Sequence, residues 1–256
     1  MLIKAKLKAF LIHLTLSAFV IGLLLFLIFT VWYDYPAPYF QVSGLEQFFL
    51  ILVGVDLTLG PLLTFVVYKP LKNTLVFDLS VIAIFQIMAL SYGVYSAYQV
   101  HPVYIVYSEN SLVLMSAQKI AQDQEKYDKF FKVSTFGKPT LVNAKMPTDM
   151  NKVRELAFGN AFDGDDLQFH PEYYEPLKAI NQKLFVKQIT IEQIKAKPKT
   201  TEILSKFLID HKVKEQQLAF IPLIGNKKNM LWAFDRETHQ PIGLIDIDPY
   251  QHLGMY

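Results

Sequence analysis

The chain has 256 residues, of which 52% are hydrophobic, a formal net charge of +2 and no cysteine. The lack of cysteine excludes disulfides, thiolate metal sites and cysteine nucleophiles. The small net charge and the scattered lysines argue against a nucleic-acid-binding protein, because no basic stripe with interleaved aromatic residues is present.

Charged residues are distributed unevenly along the chain. Residues 1–98 contain only five lysines and four acidic residues, whereas the remainder carries 20 of the 25 basic and 19 of the 23 acidic residues. We therefore expect a membrane domain over residues 1–98 and a soluble α+β domain with a mainly antiparallel sheet over residues 99–256.

Three apolar runs, at about residues 9–32, 45–67 and 75–97, are long enough to cross a bilayer. A hydrocarbon core of ~30 Å requires ~20 helical residues. Three lysines precede the first run, as in a signal peptide. Its apolar core is longer than that of a signal peptide, however, and no convincing small-residue cleavage site follows it. The sequence thus predicts three uncleaved transmembrane helices.

The loops predict the orientation of these helices. Three lysines precede the first run and two lie in the loop at 68–74, whereas the loop at 33–44 has no lysine or arginine. The first basic residue after the third run is Lys119. Because positive charge stays on the cytoplasmic side, we expect a cytoplasmic N-terminus and an external C-terminal domain. In a bacterium with two membranes, this is an inner-membrane protein with a periplasmic domain.

The stretch "GVDLTLGPLL" (54–63) places an acid, a glycine and a proline inside the second apolar run. Counted from the cytoplasmic ends of their predicted spans, Asp56 and Gln86 lie at equal depth, near the bilayer midplane. An ionisable group there is costly and normally faces protein or a cavity. Pro61 has no N–H group, so we expect the helix to be loosened beside Asp56.

Three interpretations of Asp56 follow. In the first, Asp56 is structural and accepts a hydrogen bond from Gln86 that joins two helices. In the second, the position is a docking notch for a transmembrane helix of a partner. In the third, it belongs to an ion or proton pathway. A pathway fits poorly because three helices with one midplane acid and no inverted repeat offer little to build it from. The candidate partner-binding residues in the membrane domain are Asp56, Gly60, Pro61, Asp78 and Gln86.

Asp78 does not extend the midplane site. By helical rise it lies ~12 Å from the level of Asp56, so an intramembrane aspartyl protease, which needs two adjacent carboxylates, is not expected. Lys69 and Lys72 are its expected partners.

The soluble domain contains alternating and β-branched runs separated by turn residues. We predict a hairpin at 103–107 and 112–117 and a single strand at 140–145. Three helices are predicted at 147–162, 190–197 and 200–212, and three adjacent antiparallel strands within 219–248. Tyr173 and Tyr174, in "HPEYYEPL", either pack on the strands or form a contact surface. No HExxH, GxSxG or phosphate-binding glycine loop occurs, so we expect no enzymatic activity, cofactor or metal.

Several stretches resemble the type IV pilin accessory proteins of the TfpX/TfpZ type. They are "GVDLTLGPLLTFVVYK" (54–69), "LKNTLVFDLSVIAIFQIMALSYG" (71–93) and "HPVY" (101–104), with further similarity at 138–149, 166–177 and 234–250. The matching positions are Asp56, Gly60, Pro61, Lys72, Asp78, Gln86, Tyr92, Gly93 and Pro102. The resemblance implies an inner-membrane protein without enzymatic activity that assists type IV pilus assembly by acting on the major pilin.

From the residues we add a hypothesis for how such assistance works. A chaperone-like factor would hold the pilin's hydrophobic helix with its spans and the pilin's globular head with its periplasmic domain. The expected partners are the major pilin, the lipid bilayer and other pilus assembly machinery. No nucleic-acid partner is expected. The alternative is a membrane-anchored sensor or transducer with a periplasmic ligand-binding domain, although cytoplasmic segments of about eight and seven residues leave no room for an output domain. A membrane enzyme acting on lipid or glycan would have only Asp34 and Glu46 as candidates.

Overall fold

The described residues form a helical bundle joined to a seven-stranded sheet. The computed structural model describes residues 2–33, 39–45, 49, 53–130, 136–163, 166–177, 182–185 and 189–254. The bundle comprises α1 (Leu2–Val31), α2 (Tyr39–Ser43), a π-helix (Val55–Leu59), α3 (Gly60–Val67) and α4 (Leu75–Val100).

Two helices in the described part of the chain, α1 and α4, are long and apolar enough to cross a membrane. They correspond to the predicted first and third spans. The predicted second span, 45–67, is described only at residues 45 and 49 and from residue 53 onward, and its continuous apolar helix runs from Val55 to Val67. A set of three transmembrane helices is therefore not confirmed, and the rest of the second span lies outside the described residues.

The loosened helix expected beside Asp56 takes the form of a π-helix. The Gly60 N–H group donates to the Val55 carbonyl, five residues back, instead of to the Asp56 carbonyl. The next residue, Pro61, has no N–H group and cannot donate to the Asp56 carbonyl either. The Asp56 carbonyl therefore requires a partner from outside its own helix.

The sheet has the order β4-β3-β1-β2-β5-β6-β7. Its strands are β1 (Pro102–Ser108), β2 (Ser111–Ser116), β3 (Thr140–Ala144), β4 (Tyr174–Pro176), β5 (Leu218–Ile224), β6 (Asn229–Asp235) and β7 (Pro241–Ile245). The predicted β1–β2 hairpin is confirmed, and it turns at Glu109 and Asn110, both with positive φ, as a tight two-residue turn requires. The three predicted C-terminal strands are also confirmed as antiparallel neighbours.

The sheet is mixed, whereas the sequence predicted a mainly antiparallel one. Four strand pairs are antiparallel, but β1–β3 and β2–β5 are parallel. After the β1–β2 hairpin the chain passes through α5 (Ala117–Ala121) and α6 (Gln124–Phe130) and returns to the free edge of β1 as β3. Because β2 ends beside the start of β1, a strand that begins at that end of the sheet and pairs with β1 runs parallel to it. The α+β class is confirmed.

Two of the predicted helices begin at residues whose side chains cap the helix N-terminus. Asp149 accepts a bond from the Asn151 backbone at the start of α7 (Met150–Asp163). Thr190 and Gln193 form a capping box at α8 (Ile191–Lys195). The predicted helices at 147–162, 190–197 and 200–212 correspond to α7, α8 and α9 (Pro198–His211), and a short α10 (Pro249–Leu253) follows β7.

The largest buried cluster joins one end of the bundle to the sheet. It includes Trp32, Tyr33, Tyr39, Val42, Leu45 and Ala97 from the bundle and Leu112, Leu223, Trp232 and Phe234 from the sheet. The Lys227 N–H group bonds to the Val42 carbonyl at 3.4 Å, and a Cβ on Gly225 would clash with the same carbonyl. We call this the sheet end of the bundle and the opposite end, which carries Lys6 and Lys72, the lysine end. The division at residues 98 and 99 stays a prediction, and this cluster draws on both sides of it.

Candidate functional site

Four polar side chains from different segments meet inside the bundle. His13 comes from α1, Asp56 from the π-helix, Thr64 from α3 and Gln86 from α4, and we call them the polar cluster. Asp56 and Thr64 are each only 4% exposed, and His13 and Gln86 are partly buried. Because unpaired polar groups are costly in an apolar setting, we expect these side chains to hydrogen-bond to one another.

Hydrogen bonds connect the polar cluster into a chain. His13 Nδ1 lies 2.6 Å from Thr64 Oγ1, and His13 Nε2 lies 2.8 Å from Gln86 Oε1. Gln86 Nε2 lies 3.4 Å from Asp56 Oδ1 and 3.5 Å from the Asp56 carbonyl oxygen. The side chain of Gln86 thus provides the external donor that the π-helix and Pro61 make necessary at Asp56.

The contacts also fix which groups donate. The Gln86 nitrogen must face Asp56, because the amide oxygen in that place would meet two acceptor oxygens. Gln86 Oε1 therefore faces His13 and accepts a hydrogen bond from its Nε2 atom. Nε2 of His13 consequently carries a proton. The donors consequently run from His13 through Gln86 to Asp56, where the chain ends on an acceptor.

Glycine at position 60 allows this arrangement. Asp56, Gly60 and Thr64 are spaced by four residues and share one face of the helix. A Cβ built on Gly60 would overlap the Gln86 amide group. Only glycine lets the side chain from α4 cross the middle helix at this point. Pro61 is buried beside it.

A groove of about 710 Å³ opens between α1 and α4, and the polar cluster lines its floor. The residues that line it on α1 extend from Ala5 to Ile21, a length of ~24 Å at the helical rise. Apolar side chains form most of its walls, among them Ile87 of α4, which is 62% exposed. The groove is therefore a long apolar channel with a polar patch partway along its floor.

Two members of the polar cluster were missed by the sequence analysis. His13 lies within the first apolar run, where an ionisable residue is as unusual as Asp56 is in the second. That rule was sufficient to single out His13. Thr64 carries no comparable signal, because threonine is common in transmembrane helices and only the packing of α1 against α3 brings it to His13.

Asp78 lies apart from the polar cluster, at the start of α4. Its carboxylate forms an ion pair with Lys72 and accepts a hydrogen bond from Thr74 at 3.4 Å. Lys72 is one of the two partners expected from the sequence. The structure therefore places Asp78 at the lysine end, outside the residues that line the groove floor.

Tyr173 and Tyr174 lie in the soluble part of the chain, away from the groove. Tyr174 is 7% exposed, its hydroxyl donates to the Gln168 carbonyl, and its ring packs 5.9 Å from that of Tyr104. Burial raises the pKa of Tyr104 to about 12, so its phenol stays neutral at physiological pH. Tyr173 is partly buried against the hydrophobic cluster that contains Tyr104 and Tyr174.

The described residues contain no group of three or more histidine, cysteine, aspartate or glutamate side chains placed to hold a metal ion. The polar cluster has a single carboxylate and a single imidazole. What it can do chemically is to donate and accept hydrogen bonds within an apolar groove.

Comparison with known proteins gives consistent matches. The profile of a family described as "Fimbrial assembly protein FimB" matches residues 2–44, which include His13 and the α1 wall of the groove. In Dichelobacter nodosus, the fimbrial assembly proteins of serogroup I and serogroup E1 are each 28% identical to this chain, with 94% of both chains covered. The fimbrial assembly protein of serogroups C1 and C2 is 38% identical over 115 residues, which is 44% of this chain and 86% of the relative. No solved structure matches.

Proposed function

Because this chain belongs to the fimbrial assembly protein family and has a role in pilus biogenesis, we propose that it acts as a chaperone-like factor that binds the major pilin. The observation that carries the proposal is the groove between α1 and α4. In this proposal the groove receives the hydrophobic helix of a type IV pilin before that helix enters the pilus.

The dimensions and lining of the groove support a helical occupant. Polypeptide in the hydrocarbon region must satisfy its own backbone hydrogen bonds, so a segment bound there is a helix. A wall of ~24 Å matches most of a ~30 Å hydrocarbon core. Exposed apolar side chains such as Ile12 and Ile87 would pack against the helix, since van der Waals contact drives association in lipid.

We place the protein in the bacterial inner membrane with the lysine end in the cytoplasm and the sheet in the periplasm. The support is the concentration of lysine at one end of the bundle, with Lys6 bonded to the Val66 carbonyl and Lys72 paired with Asp78. A third membrane span formed by the middle segment belongs to this proposal. A reporter that works only in the periplasm, fused after Tyr256, should be active.

The sheet would take part in binding the pilin head. The aromatic cluster at the sheet end attaches the sheet directly to the bundle, with Tyr39 packed edge-on against Trp232 at 5.8 Å. A pilin whose helix lay in the groove would therefore hold its globular head beside the sheet. We propose no catalytic step, because the cluster needs only to recognise and hold a partner.

The test fills the groove without changing its polar floor. Ile87 lines the groove, whereas Ile84, three residues earlier on α4, does not line it and is exposed to a similar extent, 55% against 62%. In a deletion strain, Ile87→Trp should reduce the number of surface pili several-fold while the pilin is still made. Ile84→Trp, at matched protein level, should restore normal numbers. Equal piliation with the two variants would contradict the groove as the binding site.

A further inference from the structure

One buried acceptor on the groove floor has no partner among the described residues. Asp56 lines the groove and is 4% exposed, and its Oδ2 atom makes no hydrogen bond to any described residue. The other carboxylate oxygen, Oδ1, accepts from Gln86. Buried polar atoms without a partner are rare in native proteins, so this oxygen indicates a missing group.

The direction of the hydrogen bonds defines the chemistry of that group. His13 donates to Gln86 and Gln86 donates to Asp56, so the chain delivers donors to the carboxylate. Successive hydrogen bonds of the same direction polarise one another and increase the negative charge at the last acceptor. The group that completes Asp56 is therefore a donor, and a cation completes it best because it also neutralises the charge.

The position of Asp56 limits which occupants can supply a donor. It lies 11 positions before Val67, the last residue of α3, or ~16 Å along the helix axis from that end. At this depth a lipid presents only its acyl chain, which has no hydrogen-bond donor. A transmembrane helix can place a lysine, serine or amide side chain there.

We infer that the partner helix carries a hydrogen-bond donor, with a lysine ammonium as the strongest case, at the level of Asp56. This inference rests on the proposed function, since it specifies the helix that the groove receives. The polar patch then selects among apolar helices by one matched group, while the walls bind any helix of suitable shape. A donor on the partner helix costs free energy while it faces lipid. That cost is offset only when the donor bonds to Asp56 in the groove.

The test uses model helices in place of the pilin. The full-length protein, labelled at Lys69→Cys, is placed in phosphatidylcholine vesicles with labelled poly-leucine helices that carry lysine, leucine or glutamate at their centre. The chain has no native cysteine, so the label enters at one position. Energy transfer measures association. We expect the lysine helix to bind about tenfold more tightly than the leucine helix, as one charge-assisted hydrogen bond provides.

The control variant is Asp56→Asn. Its amide oxygen can still accept from Gln86, but an NH2 group replaces Oδ2, so that the groove presents a donor where it had an acceptor. The tenfold preference for lysine should fall below threefold, while binding of the leucine helix should stay unchanged. A variant that keeps its leucine-helix binding is folded, which separates this result from a folding defect.

Three results overturn the inference. They are equal binding of all three helices, failure of the lysine helix to bind, and preference for the glutamate helix, which would mean that Asp56 donates. Occupation of the groove by lipid or by a second copy of the chain would give the first of these, because neither depends on the central residue. The piliation test with Ile87→Trp is independent of this one, so each idea can fail alone.

Discussion

At the sheet end the helical bundle is closed by aromatic side chains, whereas its middle is held by hydrogen bonds around an open groove. Trp32 stacks on His101 at 5.1 Å, and Tyr33 and Leu45 are fully buried. Further along the same helices, Asp56 and Gln86 join two segments while Ile87 beside them stays exposed. The bundle is thus closely packed at the sheet end and leaves an open groove in its middle.

If the bundle lies in the membrane as proposed, the difference follows from the solvent around each region. Near water, burying apolar surface is favourable by roughly 25 cal/mol per Å². Aromatic side chains there pack into a core without hydrogen bonds to hold them. Within lipid, apolar side chains gain little from contact with one another, and helices are held by close approach and hydrogen bonds. Incomplete packing therefore costs less in lipid than in water, which permits a groove there.

Gly225→Val should cause the largest loss of stability and should break the sheet end. A side chain at this position meets the backbone carbonyl of Val42, which cannot rotate away. We expect a loss of about 3 kcal/mol in the free energy of unfolding, at the upper end of the range for overpacked sites. Denaturant unfolding in detergent, followed by tryptophan fluorescence, measures it. Unchanged stability would mean that the β5–β6 turn does not rest on the bundle.

Gly60→Ala should affect the groove region and leave the sheet end intact. The added methyl group displaces the Gln86 amide and removes its bonds to Asp56. We expect a loss of about 1–2 kcal/mol from overpacking and lost hydrogen bonds. Hydrogen exchange should become faster in residues 55–67 and not in β5 or β6. Gly22→Ala is the control, because a Cβ on Gly22 has no neighbour within 4 Å. Faster exchange in both regions would show that they are not independent.

Tyr174→Phe should have a smaller effect, confined to the soluble part of the chain. The substitution keeps the ring contacts with Tyr104 but removes the hydroxyl that donates to the Gln168 carbonyl. A lost hydrogen bond of this kind costs about 1 kcal/mol. Thermal unfolding should detect it, and surface piliation should not change. Loss of pili from a protein of near-normal stability would instead assign this tyrosine to the contact surface.

Lys72→Ala should have the smallest effect. The Lys72 side chain is 38% exposed and that of Asp78 is 21% exposed, so solvent and salt screen their ion pair. Pairs of this type contribute no more than about 0.5–1 kcal/mol. Stability should fall by that amount at low salt and by less at high salt. A larger loss that is independent of salt would show that the lysine end is more than a solvated terminus of the bundle.

The sequence was sufficient for features that depend on local rules. Alternating and β-branched runs separated by turn residues located the β1–β2 hairpin and the three C-terminal strands, and counting along two spans paired Asp56 with Gln86. His13 was missed although its position in an apolar run singles it out. Thr64 was missed because the relative shift of α1 and α3 depends on contacts such as Lys6 with Val66, which no residue count gives. The parallel strand pairs were missed because they depend on where the chain returns after long connections.

The central claim is that a pilin helix occupies the groove between α1 and α4. It is tested most directly by cysteine crosslinking in cells, with Ile87→Cys in this cysteine-free chain and single cysteines along the hydrophobic helix of the major pilin. Ile84→Cys, on the same helix and similarly exposed, is the matched control. We predict crosslinks from Ile87→Cys at pilin positions spaced by three or four residues, and none from Ile84→Cys. Equal crosslinking from both positions, or none from either, would contradict the account.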